Sequence, residues 1–190
     1  AGLDLSGVLL FALDEYVGLP REHPESYHSV IQREVTKPLG LDSSRVHVPD
    51  GDEATIATAG ERYEAALLAR GGVDLQLLGI GTDGHVGFNE PGSHINSGTR
   101  IITLDHITRV DASFDFNGID SVPKRAITMG VSTILRSKRI VSMAWGQNKA
   151  DIIKRTIQGD ISSEVPATFL QNHNNTTFVL DQSAASELTR

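Results

Sequence analysis

The chain has 190 residues, of which 39 % are hydrophobic and 22 % charged, an ordinary composition for one soluble globular domain. Its formal net charge is −7 and its basic residues are dispersed, which argues against a nucleic-acid partner. Cysteine is absent, so disulfides, thiolate catalysis and Cys-ligated metals are excluded. Because no apolar run reaches the roughly 18 residues that span a bilayer, and the first residues do not resemble a signal peptide, we expect a cytoplasmic protein without a membrane partner.

The first part of the chain predicts strands that alternate with helices. Residues 8–13 are continuously apolar, which is typical of a strand covered on both faces, and this strand ends at Asp14. Apolar residues at helical spacing predict a helix over 26–39, closed by Gly40. A short strand over 46–48, a helix over 56–69 and a buried strand over 73–78 follow.

The second part of the chain continues the alternation. Residues 100–104 predict a strand, whereas the polar residues 105–122 predict no regular element; Phe114 and Phe116 suggest a packed segment or lid there. Further predicted elements are a helix through 131–135, a strand over 139–145, a helix over 149–157, a helical turn over 166–170, a strand over 176–180 and a short helix over 183–188. This order predicts an α/β fold with a parallel, helix-covered sheet, in a single domain over 1–190.

A glycine-rich loop over 79–92 follows the predicted strand 73–78. Its glycines and Pro91 prevent a long helix, and ligands of α/β proteins bind at such strand ends. Gly79 to Gly84 formally match the dinucleotide pattern G-x-G-x-x-G. That pattern requires a helix that begins within the glycines, and Gly87, Pro91 and Gly92 exclude one here. We therefore reject a nicotinamide-binding interpretation.

Asp83, His85 and Glu90 concentrate proton-transferring groups in this loop. Two carboxylates that flank an imidazole can fix its tautomer and hold its proton, which suits an acid or base near neutral pH. Two other interpretations stay open: Asp83 stabilises the turn while His85 and Glu90 have no chemical role, or the three residues bind a metal. The interpretation of Asp14 also stays open. It is either a turn aspartate or a second acid at the same edge of the sheet.

Two long motifs resemble glucosamine-6-phosphate deaminases. They are residues 11–27, with the sequence FALDEYVGLPREHPESY, and residues 78–93, with the sequence LGIGTDGHVGFNEPGS. The resemblance extends through residues 122–124 and 146–149 to the C-terminal region. It implies a Rossmann-like α/β fold with an open, mostly parallel sheet and helices on both faces. It also implies conversion of glucosamine 6-phosphate and water to fructose 6-phosphate and ammonia in N-acetylglucosamine catabolism, without a cofactor or a catalytic metal.

The same resemblance implies a role for each site residue. His85, oriented by Asp83 and Glu90, opens the sugar ring, and Asp14 moves the carbon-bound proton between C2 and C1. Lys149 binds the substrate phosphate, near the start of a helix where an anion is also favoured. The expected partner is a phosphorylated amino sugar, and the full-length family members commonly form homo-oligomers.

The sequence departs from the family pattern where the phosphate is bound. The family's first β-α segment, with a Gly-rich loop, is absent, so we expect an N-terminally incomplete chain. Phe114 stands where the family usually has a phosphate-binding arginine, which Arg109 or Arg125 could replace. Some family members are regulated by N-acetylglucosamine 6-phosphate; of the basic residues at that regulatory site, Arg100 is kept and Ile102 replaces the other. Two alternatives therefore stay open: a sugar-phosphate hydrolase of the 6-phosphogluconolactonase type, and a catalytically inactive sugar-phosphate-binding module.

Overall fold

A computed structural model describes residues 4–189, so Ala1–Leu3 and Arg190 lie outside the described residues. The chain forms two compact units, which we describe separately. The first unit contains the described residues up to Tyr63 together with Ile101–Thr128, and the second contains Glu64–Arg100 and the residues from Met129 onward. The α/β class with mostly parallel strands is confirmed, whereas the single domain over 1–190 stays a prediction.

The elements follow the predicted alternation. Over residues 4–189 the strands are β1 (Leu10–Phe11), β2 (Asp14–Tyr16), β3 (Val46–His47), β4 (Leu75–Leu78), β5 (Arg100–Thr103), β6 (Arg125–Thr128), β7 (Arg139–Ala144) and β8 (Thr176–Leu180). The α-helices in the same residues are α1 (Tyr27–Ile31), α2 (Lys37–Leu39), α3 (Ala59–Leu68), α4 (His106–Ala112), α5 (Val131–Leu135) and α6 (Ala150–Gln158). A π-helical stretch, Gln32–Thr36, joins α1 to α2, and Gly40 ends α2 at a φ of 63°.

The predicted strand over 8–13 is wrong in its extent. β1 pairs in parallel with β3, and the chain then leaves the ladder at Ala12 before β2 begins at Asp14. The Ala12 carbonyl accepts a hydrogen bond of 2.7 Å from the Tyr63 hydroxyl, so this carbonyl is satisfied by a side chain. Leu9 is 41 % exposed, so the run is not covered on both faces. Asp14 therefore lies within a strand of its own.

β2 pairs antiparallel with β6, a strand that the sequence did not predict. Asp14 lies opposite Thr128, and the three strands are ordered β2-β6-β5. Ala126 and Ile127 of β6 are completely buried, so this strand lacks the polar alternation by which a strand is recognised. The segment without a prediction, 105–122, contains α4, whose start is capped by the Asp105 side chain accepting from the Ile107 amide at 2.8 Å.

The second unit is built on three parallel strands in the order β4-β7-β8. Its core includes Ile140 of β7 and Ile153 of α6, neither of which is exposed. β4 alternates between buried and exposed residues, and Leu75 and Leu77 are about half exposed. The prediction that this strand is buried is therefore wrong for one face.

The predicted helix over 183–188 is also wrong, because these residues form hydrogen-bonded turns. Asp181 accounts for the first of them. Its side chain accepts from the Ala184 amide at 2.7 Å and its carbonyl from the Ala185 amide at 3.1 Å. Asp181 thus stands where a helix N-cap would, but the bonds that follow, from the Ser186 amide to the Ser183 carbonyl at 3.3 Å and from the Leu188 amide to the Ala185 carbonyl at 3.1 Å, join residues three apart, so no regular α-helix follows.

Candidate active site

The glycine-rich loop begins directly after β4 and folds back on itself. The Gly81 amide donates to the His85 carbonyl at 2.9 Å, and the Gly84 amide donates to the Gly81 carbonyl at 3.1 Å. Gly84 has a φ of 90° and Gly87 a φ of 57°, backbone conformations that favour glycine. The prediction of a loop without a helix is confirmed, and the glycines make a compact turn that directs its side chains to one place.

His85 lies between two carboxylates of this loop. Its Nδ1 is 2.8 Å from Asp83 Oδ1 and 3.6 Å from Glu90 Oε2. The three side chains are only 19 %, 11 % and 12 % exposed, so water does not screen these charges fully. Asp83 Oδ1 also accepts from the His85 amide at 3.0 Å. The loop backbone therefore fixes the carboxylate with which the imidazole is in contact.

The pKa values of the pair move in the directions that stabilise an ion pair. Burial alone would lower the pKa of His85, but the contact with Asp83 and the charges of Asp83 and Glu90 outweigh burial and raise it. Burial would raise the pKa of Asp83, yet its interactions with His85 lower that pKa to about 2. An imidazole that holds its proton close to neutral pH can donate and recover it during a reaction.

Only glycine fits at position 81, because the His85 ring occupies the space that a side chain would need. A Cβ on Gly81 would lie 2.3 Å from the ring atoms Cε1 and Nδ1, far inside van der Waals contact. Gly84 is restricted by a different neighbour, since a Cβ there would lie 2.5 Å from Val165. The Gly84 carbonyl also accepts from the Ala167 amide at 2.9 Å. The loop is therefore held from both sides.

Lys149 belongs to the same unit and lies near His85. Its ammonium donates to the Ile80 carbonyl at 2.7 Å, and its charge opposes the rise in the pKa of His85. Lys149 ends a short 3-10 turn, Gln147–Lys149, from which α6 continues. Four of the five predicted site residues therefore occur in the second unit, and the structure brings His85 together with both carboxylates.

The loop carboxylates and His85 also have the composition of a cation site. One ligand atom from each of Asp83, His85 and Glu90 lies within 4.8 Å of the others. Such a set of one nitrogen and two oxygens is a possible divalent-metal site. Because the pKa of His85 is raised, a metal would have to displace a proton from the imidazole before the ring could act as a ligand.

Asp14, the remaining predicted site residue, lies in β2 of the first unit and is 8 % exposed. Two phenols accompany it, the buried Tyr16 and the half-buried Tyr27. Tyr16 and Tyr27 are stacked, with their ring centroids 5.6 Å apart and their planes at 9°. Burial and the charge of Asp14 together raise the pKa of Tyr16 to about 12 and the pKa of Tyr27 well above its usual value. Both phenols are therefore neutral at physiological pH.

The two arginines proposed to replace the family's phosphate-binding arginine have other partners in the first unit. Arg109 donates to the carbonyls of Ile119 and Val122, at 2.7 and 3.2 Å, and so fixes the turn after α4. Arg125 forms an ion pair of 2.7 Å with Glu53. The Phe114 side chain is 89 % exposed. Each arginine therefore already binds a partner within its own unit, Arg125 through an exposed ion pair.

Asn89 is a loop residue that the sequence did not identify. It is completely buried, and its amide nitrogen donates to the carbonyls of Val86 and Met129, both at 2.8 Å. Its oxygen accepts from Arg100 at 2.8 Å, and Arg100 also donates to the Ser93 hydroxyl at 3.1 Å. Asn89 therefore holds the residue next to Glu90 in place. The only sequence signal was an Asn beside an acid in a turn-rich stretch.

On an α/β scaffold, a histidine between two carboxylates in the loop that follows a parallel strand is an arrangement typical of α/β enzymes and suited to acid-base chemistry. The family described as glucosamine-6-phosphate isomerases/6-phosphogluconolactonase matches residues 1–179. The chain belongs to this family. None of the helices among residues 4–189 is long and apolar enough to cross a membrane.

Curated relatives place the chain within one branch of the family. It is 51 % identical, over 197 residues, to a protein of Bifidobacterium longum (strain DJO10A) named glucosamine-6-phosphate deaminase; the match covers 98 % of this chain and 72 % of the relative. It is 50 % identical, over 187 residues, to the glucosamine-6-phosphate deaminase of Streptomyces coelicolor, with the same coverage of both chains. The resemblance stated from the two sequence motifs is thereby confirmed.

Solved structures agree with this assignment. A structure described as a monomeric glucosamine-6-phosphate deaminase superposes with a TM-score of 0.94 at 39 % identity, covering 97 % of this chain and 76 % of that one. The 6-phosphogluconolactonase of Trypanosoma brucei superposes with a TM-score of 0.74 at 18 % identity, covering 94 % of this chain and 73 % of that one. The second likeness shows a shared fold and nothing more.

Proposed function

We propose that this protein is a glucosamine-6-phosphate deaminase, which converts glucosamine 6-phosphate and water to fructose 6-phosphate and ammonia. The observation that carries the proposal is the His85 imidazole, held 2.8 Å from Asp83 and 3.6 Å from Glu90 in the loop after β4. Relatives of about 50 % identity that bear this name support the choice of substrate. The 6-phosphogluconolactonase alternative has only the shared fold in its favour.

The first chemical step is opening of the pyranose ring. A proton leaves the C1 hydroxyl, the bond between C1 and the ring oxygen breaks, and the ring oxygen gains a proton. We assign this transfer to His85, because its imidazole can exchange a proton at neutral pH and its orientation is fixed by the loop. Asp83 and Glu90 are positioning residues that keep the imidazolium stable until it donates.

The second step moves a carbon-bound proton, and we assign it to Asp14. Its carboxylate takes the proton from C2, which gives an enolamine, and returns a proton to C1. Water then adds at C2 of the resulting imine, ammonia leaves, and the ketone of fructose 6-phosphate remains. A single positioned base suffices for both transfers, since it replaces an encounter with a base from solution. Lys149 is proposed to bind the substrate phosphate as a point charge.

The test is a coupled assay of ammonia and fructose 6-phosphate with the wild type and two histidine variants. We expect His85→Gln to lower kcat by roughly 10²- to 10⁴-fold, the usual contribution of a general acid or base. His94→Gln is the matched control, because His94 is an exposed histidine nine residues further along the same segment. Normal turnover by His85→Gln would contradict the proposed role of His85.

One observation favours a second candidate, a sugar-phosphate-binding module without turnover. Arg109, Arg125 and Lys149 each bind a partner within their own unit and Phe114 cannot bind phosphate, so every predicted phosphate ligand has a protein partner already. Calorimetry with glucosamine 6-phosphate separates the two candidates. Tight binding without release of ammonia would support the binding module, whereas turnover supports the deaminase.

Assembly and location stay predictions. We expect a homo-oligomer in the cytoplasm, although one structural relative is described as monomeric. Light scattering of the purified protein measures the oligomeric state. Cell fractionation with an antibody against the chain measures the location.

A further inference from the structure

Glu15 is a buried carboxylate to which neither the sequence motifs nor the proposed chemistry assigns a role. It follows Asp14 directly in β2 and is 2 % exposed. Removing a carboxylate from water is unfavourable unless hydrogen bonds replace its hydration. A buried acid next to the assigned base therefore requires an explanation.

Four donors surround the Glu15 carboxylate. Oε1 accepts from the Tyr16 amide at 2.8 Å and from the Tyr27 amide at 3.1 Å. Oε2 accepts from the Ser26 hydroxyl at 2.7 Å and from the His28 amide at 3.1 Å. Both oxygens are thus bonded to β2 or to the beginning of α1, and the lost hydration is compensated.

Glu15 performs the capping function that a serine usually has. Ser26 stands at the N-cap position of α1, but its side chain makes no cap bond and donates to Glu15 instead. The Glu15 carboxylate accepts from the first two amides of α1, Tyr27 and His28, which have no partner within a helix. Ser26 is completely buried. A strand residue therefore fixes where the helix begins.

The bonds of Glu15 to β2 and to the beginning of α1, which we call the Glu15 junction, determine the surroundings of Asp14. Side chains of neighbouring strand residues point to opposite faces, so Glu15 holds β2 from the face away from Asp14. Gly51 restricts the strand further, because a Cβ there would lie 2.3 Å from the Tyr16 carbonyl and 3.1 Å from Glu15 Cγ. The beginning of α1 also carries Tyr27, which stacks on Tyr16. Glu15 thus holds both the strand of Asp14 and its aromatic neighbours.

We infer that Glu15 is a positioning residue for the Asp14 carboxylate. This inference rests on the proposed function, in which Asp14 transfers the proton between C2 and C1. A carboxylate that must reach two adjacent carbons tolerates little movement, and a displacement of about 1 Å can cost about 100-fold in rate. The Glu15 junction supplies that rigidity without contacting the substrate.

The experiment measures turnover of glucosamine 6-phosphate in D₂O by the wild type, Glu15→Gln and Ser26→Ala. Glu15→Gln keeps the shape of the side chain but places an NH₂ group against the donors that now bind the carboxylate. Ser26→Ala removes only one of these donors, the Ser26 hydroxyl. We expect kcat to fall about 10- to 100-fold in Glu15→Gln and by a smaller factor in Ser26→Ala, with KM within about threefold of the wild type.

The deuterium content of C1 in the product reports on positioning itself. A well-held base carries the C2 proton to C1, whereas a loosened base exchanges it with solvent first. We therefore expect more deuterium at C1 in both variants. This content is a ratio per turnover, so it does not depend on the fraction of enzyme that is folded. If Glu15→Gln does not fold, Ser26→Ala decides the question by the same ratio.

The control is Glu64→Gln in the second unit. Glu64 accepts from the Thr99 amide at 2.9 Å, from the hydroxyls of Thr99 and Thr133, and from Arg136 at 2.8 Å, so it is a carboxylate with a comparable number of donors. We expect Glu64→Gln to lose stability but keep the wild-type deuterium content.

Unchanged kcat and deuterium content in Glu15→Gln, or in Ser26→Ala if only that variant folds, would overturn the inference and leave the proposed function intact. A wild type that forms no fructose 6-phosphate would overturn both.

Discussion

Replacing Asp83 with Asn separates the charge of this carboxylate from its shape. The Asn oxygen can still accept from the His85 amide, as Asp83 Oδ1 does at 3.0 Å, so the turn is retained. What disappears is the attraction between the carboxylate and the imidazole, whose atoms are 2.8 Å apart. We expect the pKa of His85 to fall in this variant, because burial then acts with less opposition.

The size of the effect follows from the pKa of Asp83 itself. Its fall from 3.8 to about 2 corresponds to about 2 kcal/mol of folding free energy at neutral pH. Because this pKa is lowered in the folded state, the contribution is complete above the ordinary value and is lost as the pH falls toward 2. By linkage, roughly half of it remains at pH 3. His85 acts in the opposite direction, since its raised pKa stabilises the fold below 6.5 and this contribution disappears as the pH rises through the folded-state pKa.

Urea denaturation at pH 7 and at pH 3 measures the difference, and NMR titration of His85 measures its pKa. Asp74→Asn is the control, because Asp74 pairs with Lys138 at 2.7 Å on side chains that are 84 % and 72 % exposed. Such surface pairs contribute at most about 1 kcal/mol. If Asp83→Asn lost no more stability than Asp74→Asn at pH 7, or lost the same amount at pH 3, the buried-pair reasoning would be refuted.

Two further predictions concern the same loop. Lys149→Met removes the cation that opposes the rise in the pKa of His85. We expect NMR titration to give a higher pKa for His85, and steady-state kinetics to give a higher KM. An unchanged pKa of His85 would contradict the proximity of Lys149 to His85. Gly81→Ala forces the His85 ring to move, since the added Cβ would lie 2.3 Å from it, and kcat is expected to fall about 10- to 100-fold. Gly79→Ala is the control, because no atom lies within 4 Å of a Cβ at that position, and equal activities of the two alanine variants would count against the proposed geometry.

The glycine-rich loop was largely predictable because its chemistry is local. Glycines and Pro91 exclude a helix whatever surrounds them, and the short distance along the chain between Asp83 and Glu90 keeps their side chains near His85. The alternation of strands and helices was predictable for the same reason. β8, Thr176–Leu180, occurs where its apolar pattern predicts it.

The failures concern burial and pairing, which depend on residues distant in the sequence. β6 was missed because its last three residues are all buried, so apolar and polar side chains do not alternate along it. The exposed face of β4 was missed for the opposite reason: Leu75 and Leu77 are apolar, and only packing determines whether an apolar residue is covered. Turns replace the predicted helix over 183–188 because the backbone bonds after Asp181 join residues three apart, which the apolar pattern does not reveal.

The sequence by itself determined the family and named Asp83, His85 and Glu90 as candidate acid-base groups, since these are properties of residue types in a fixed local order. Only the tertiary structure decided that Glu15, a residue with the same side chain as many exposed acids, accepts four hydrogen bonds from β2 and the beginning of α1. The amides of Tyr27 and His28 are more than ten residues from Glu15 along the chain. Folding alone brings donors so distant in sequence to one carboxylate, and for that reason no local pattern reveals the junction.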